Sequence, residues 1–142
     1  MKKYIIIFSF FFILPNCLAN IVSKKDVSIE INTFDSIPSE IDGGCCVFYK
    51  NPTTEHRKGF VMVNDLASTA YMMINHKLEK FFLTTNKKDV FLYSNRNFTL
   101  KVRISSKRGK AKSEFYKVKG ILVVEDHSKN KQKLPFYGNC SW

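Results

Sequence analysis

The chain has 142 residues, with 23 Lys and Arg against 12 Asp and Glu, a formal charge of +11 and four cysteines. That length suits one domain with a real hydrophobic core and leaves little room for a second. The basic balance favours polyanions and anionic surfaces over cationic partners, while 13 Phe, 6 Tyr and abundant Val and Ile favour strands over helices.

Lys2 and Lys3 precede an apolar run over residues 4–14 that only Ser9 interrupts, and Pro15 ends it. Cys17 and Ala19 are small residues at the −3 and −1 positions of a cut after Ala19, the arrangement a signal peptidase accepts. The expected organisation is a signal peptide over residues 1–19 and a single β-rich domain over residues 20–142, starting at Asn20. An 11-residue apolar run is well short of the ~20 residues a membrane-spanning helix needs. Lipidation at Cys17 wants a small residue before the cysteine, where this chain has Asn16. Without its two signal lysines the mature domain keeps 21 basic against 12 acidic residues, a charge of +9.

In the mature chain Val27, Ile29 and Ile31 alternate with polar residues, the period of a half-buried strand. Residues 34–44, with Pro38 and Asp42-Gly43-Gly44, read as a loop, residues 45–49 as a short strand and residues 60–63 as the next. Residues 70–74 and 77–85 flank Asn75-His76 and read as a tight hairpin; a type I′ turn prefers Gly second, so His76 makes it costlier. A helix over residues 64–73 is the alternative, because Leu66, Ala67 and Ala70 are good helix formers. Residues 90–93 and 98–104 are further strands, the second with Lys101 and Arg103 opposite its apolar face. After a basic stretch at residues 107–112 come strands at 115–124 and 134–137. The expected fold is all-β: an antiparallel sandwich or small barrel of about eight strands.

Cys45, Cys46 and Cys140 remain after cleavage, and an exported chain places them where disulfides persist. Adjacent strand residues point to opposite faces, so Cys45 and Cys46 do not bridge each other and Cys140 pairs with one of them. The chain lacks C-x-x-C and H-x-x-x-H spacing, and His56, His76 and His127 are scattered, so neither a metal nor a cofactor is expected.

Gly43-Gly44-Cys45, Phe60-Val61-Met62-Val63-Asn64-Asp65-Leu66, Ala70-Tyr71-Met72-Met73-Ile74-Asn75-His76-Lys77-Leu78 and the closing Gly138-Asn139-Cys140 follow a recurring order. In this the chain resembles a group of small exported bacterial proteins of unknown function. The chain departs from that pattern with His76 where a glycine usually completes the turn, Trp142 where a second terminal cysteine is common, and an extra Cys46. The resemblance implies a disulfide between Cys45 and Cys140, leaving Cys46 free or paired between chains, and it implies no activity.

Asp65, an acid between an apolar strand and a turn, has the position of a base or a ligand, but a turn-capping role explains it better. Met62, Met72 and Met73 are thioethers that suit Cu(I), yet adjacent strand residues diverge and packing explains them. No nucleophile and base with an orienting third group can be assembled, so an enzyme is not expected. The densest charge feature is Lys101, Arg103, Lys107, Arg108, Lys110 and Lys112, followed by Lys117 and Lys119 on the next strand, with Phe115 and Tyr116 beside them. Such a ribbon binds phosphate-rich polymers or serves as a solvated edge. The expected function is non-catalytic binding in the bacterial periplasm or outside the cell; the sequence does not name the ligand, for which an anionic envelope polymer is the candidate. The alternative is a protein partner: an inhibitor or immunity-type protein acting on an envelope-directed enzyme.

Overall fold

A computed structural model of the protein describes residues 28–52, 58–110 and 113–141. The expected signal peptide, His56 and Lys112 lie outside the described residues. The described chain forms nine strands: β1 (Ile31–Asn32), β2 (Cys45–Tyr49), β3 (Phe60–Asn64), β4 (Thr69–Ile74), β5 (Lys77–Lys87), β6 (Val90–Ser94), β7 (Phe98–Arg108), β8 (Phe115–Asp126) and β9 (Lys131–Ser141). All pairings are antiparallel, and from β2 onward each strand pairs with the next in sequence. The last strand, β9, returns to pair with β2 from Cys45↔Ser141 to Tyr49↔Tyr137. The result is a closed up-and-down barrel of eight strands with β1 as an extra strand on β4. Closure leaves no long free edge, which answers the choice between sandwich and barrel.

Asn75-His76 forms the tight turn expected, joining Ile74 to Lys77 with both residues at positive φ, 50° and 63°. The chain before β4 braces this glycine-free turn: the Asn75 N–H donates to the Glu30 carbonyl, Asn75 Oδ1 accepts the Glu30 N–H at 2.9 Å, and Asn32 Oδ1 accepts the His76 N–H at 2.7 Å. No helix forms over residues 64–73; Asp65 and the positive φ of Leu66 (61°) make a turn there, and β4 follows. Gly138, Asn139 and Cys140 lie within a strand because β9 is paired on both sides, with β2 and β8. For the same reason β7 runs beyond residue 104, where the apolar alternation ends, through Lys107 and Arg108, since both pair with β8.

Alternation sends one side chain of each strand pair inward. Phe48, Met62, Met72, Phe81, Leu100, Leu122, Val124 and Phe136 fill the interior, all nearly or wholly inaccessible. Met62 and Met72 therefore belong to the core, as packing predicts. Ile29 and Ile31 join the same cluster from outside the strand cycle, so β1 and the residues before it plug one end of the barrel. A second cluster of Phe34, Tyr49, Phe60, Val63 and Tyr71 packs the 34–44 segment onto the outer surface of β2, β3 and β4. The interior is apolar and the outer face carries charge, the reverse of a membrane-spanning barrel. No helix among the described residues is long and apolar enough to cross a membrane.

The disulfide joins Cys46 to Cys140, not Cys45 to Cys140 as the resemblance implied. Cys46 and Cys140 are direct partners across the β2–β9 closure, their Cα atoms 4.0 Å apart, and both side chains are buried in the core. Cys45 is opposite Ser141, faces the outer surface and is free. Burial pushes its thiol above the ordinary value, which keeps it protonated and poorly nucleophilic.

Candidate functional site

The basic residues singled out in the sequence divide into two groups. Lys101 and Arg103 alternate with inward Leu100, Val102 and Ile104 and project from the outer face of β7. Between Ile104 and Ser106 the β7–β8 register shifts by one residue. A bulge inverts the alternation beyond it. Lys107 therefore sits opposite buried Val118 and lines the barrel mouth, whereas Arg108 sits opposite Lys117 on the outer face. Lys119 is exposed on that face beside Tyr137, and Lys133 is carried to it by β9. Lys110 lies in the exposed β7–β8 connection.

The outer face thus presents Lys101, Arg103, Arg108, Lys117, Lys119 and Lys133 from three adjacent strands. Strand neighbours are about 4.8 Å apart and same-face residues along a strand about 7 Å. Ion pairs among the described residues engage Lys107 with Asp89 at 3.0 Å and Lys129 and Lys131 with Glu125 at 3.0 and 3.1 Å. Lys101, Arg103, Arg108 and Lys119 have no carboxylate partner among them. Phe115 is 68 % exposed, and with Ile37 and Cys45 it lines an apolar groove of about 500 Å³ along the closing seam. Tyr116, expected to join the basic ribbon, lines the mouth instead.

Opposite the plugged end, the barrel opens into a cavity of about 250 Å³. Its wall is Phe48, Leu66, Phe91, Val102, Ile104 and Tyr116, and its polar groups include Asn64, Tyr93 and Lys107. Asn64 Oδ1 accepts the Leu66 N–H at 3.1 Å. Burial, with a smaller effect from the Asp65 charge, pushes the Tyr93 phenol up to about 12, so it stays a neutral donor.

Asp65 stands at the rim as a turn cap. Its Oδ1 accepts the N–H groups of Ala67, Ser68 and Thr69 at 3.0, 2.9 and 2.9 Å, and the Thr69 hydroxyl donates to Oδ2. Burial raises its pKa, but the hydrogen bonds from Thr69, Ala67 and Ser68 outweigh that and hold the carboxyl below its ordinary 3.8. A depressed folded pKa adds stability above the unfolded value, lost as pH falls through the folded one. Asp65→Ala is therefore expected to cost about 1–3 kcal/mol at neutral pH, since it removes several bonds to a charged acceptor. Asp65→Asn should lose less, and its stability should fall less steeply than wild type below about pH 4, where the wild-type carboxylate titrates. Urea unfolding at pH 7 and pH 3 measures both; equal pH dependence in the two proteins would remove Asp65 from this role.

Compared with known proteins, the chain matches no family model, no curated protein and no solved structure. What the fold and site define is a class of architecture: a small closed up-and-down barrel, stapled at its closing seam, with a basic outer face and one open mouth.

Proposed function

We propose that this protein is an exported, non-catalytic binding protein whose β7–β9 outer face takes an anionic polymer. The observation that carries the reading is the set Lys101, Arg103, Arg108 and Lys119, exposed together and unopposed by carboxylates among the described residues. Solvated cations at strand spacing attract a polymer of phosphates through counterion release, with no built pocket required. The intramolecular disulfide is compatible with an oxidising compartment. Asp65, the acid singled out in the sequence, spends its oxygens on its own turn.

A protein-partner role is the second reading, favoured by the exposed Phe115 and Ile37 beside the apolar seam groove. Binding to lipopolysaccharide and to single-stranded DNA, measured across a salt series, tests the first. The variant with Lys101, Arg103, Arg108 and Lys119 all changed to Ala should flatten the slope of log affinity against log salt by up to about three units. It should stay folded, because exposed cations contribute little to stability. Unchanged binding at every salt concentration would refute the polymer reading, and a salt-resistant protein captured from periplasmic extract would support the second.

A further inference from the structure

We propose that the open end of the barrel is a second, separate site, which binds a small carboxylic acid with a compact apolar body. The cavity is lined by six strands and one turn, so it is shaped mainly by the paired strands of the barrel rather than by a loop. Mouths of closed barrels are a recurrent place for small ligands. An engineered protein cavity of about 150 Å³ holds benzene. At about 250 Å³ this one suits a body of about ten non-hydrogen atoms.

The wall decides the chemistry of the body. Phe48, Phe91, Val102, Ile104 and Leu66 offer aromatic and branched surface and no charge, which favours an aromatic or short aliphatic group. The polar groups decide the head. Asn64 is only 8 % exposed; its Oδ1 is committed to Leu66, and its Nδ2 takes no hydrogen bond among the described residues. Tyr93 is 6 % exposed, and its hydroxyl takes none among them either. No fully enclosed side-chain polar atom among the described residues lacks a partner, so both groups reach the cavity rather than lie sealed in the wall. Two donors without acceptors of their own call for an acceptor on the ligand.

Lys107 supplies the charge. Without the bulge at Ser105 it would share the outward face of Lys101 and Arg103; the register shift turns it to the mouth, where Asp89 holds it at 3.0 Å. Asp89 is itself fixed beside the bulge, its carbonyl accepting the Ile104 N–H at 2.8 Å. An ammonium has three protons, so one ion pair leaves it able to meet a ligand carboxylate at the rim.

The probe is 3-phenylpropionate, an aromatic acid of the right size, added to the oxidised mature protein and followed by amide chemical shifts. Shifts are expected at Asn64, Leu66, Ala67, Phe91, Val102 and Ile104. Ala67→Trp, a substitution at an exposed turn position that narrows the mouth, should abolish them while the rest of the spectrum stays folded. Tyr93→Phe keeps the core ring and Asn64→Asp keeps the acceptor for Leu66, and each should weaken binding about tenfold or more. The methyl ester of the probe should bind about tenfold more weakly than the acid. The site is overturned if the probe moves no mouth signal up to its solubility limit, or if Ala67→Trp binds as the wild type does. An ester that binds as tightly as the acid overturns the carboxylate assignment. Because Lys101, Arg103, Arg108 and Lys119 play no part here, the polymer reading and this one fail independently.

Discussion

Changing both Cys46 and Cys140 to Ser is expected to lower stability by about 4 to 5 kcal/mol. The bridge spans 94 residues of sequence, and closing a loop of that length removes much of the freedom of the unfolded chain. It also lies where the barrel closes, so β2 and β9 are held together in the unfolded state as well as in the folded one. Cys45→Ser is the control: its side chain faces away from the barrel interior, half-buried beside the second cluster, and is free, so the substitution should stay within about 1 kcal/mol of wild type. Urea unfolding of the three proteins, with peptide mapping under non-reducing conditions, gives the answer. A map joining Cys45 to Cys140, or a double variant within about 1 kcal/mol of wild type, would sink the assignment.

The same cysteines show how far the sequence reaches. Phe136, Gly138 and Cys140 share one face of β9, and Cys46 and Phe48 share one face of β2. Following that alternation from the apolar Phe136 and Phe48 selects Cys46 over Cys45; the resemblance, which weighed pattern and not parity, selected the other. Strands were legible because their apolar period is local, and so was the Asn75-His76 turn. Barrel closure was not, since the pairing of β9 with β2 joins the two ends of the cycle and leaves no local mark beyond the cysteines. The bulge after Ile104 was hidden too: Ser105 breaks no pattern by itself, yet it moves Lys107 from the basic face to the mouth. The mouth itself draws its lining from residues scattered between Cys46 and Tyr116, in short local groups such as Asn64, Leu66 and Ala67, and it is the closed fold that brings these groups together.

The second large effect is expected from Phe136→Ala, at about 3 to 5 kcal/mol. Phe136 is 1 % exposed and stacks on Phe48 across the interior, ring centroids 4.1 Å apart and planes within 13°. Two glycines make space for this pair. A Cβ on Gly138 would lie 2.5 Å from Phe48 Cδ1, and one on Gly120, the cross-strand partner of Phe136, would lie 2.9 Å from the Phe136 Cζ. Removing the ring therefore empties a space that neither neighbour can fill, because glycine has no side chain to lean in and the paired ladders of β8 and β9 hold the backbone apart. The stacking itself adds about 0.5 to 1.5 kcal/mol beyond the buried area. Phe136→Leu should recover part of the loss by refilling most of the volume. Urea midpoints for the two variants, with the Cys46–Cys140 bridge intact, separate cavity from contact. If Phe136→Ala costs less than about 1 kcal/mol, the interior collapses onto the gap, and the barrel is far more compliant than its packed core and closed hydrogen-bond cycle require.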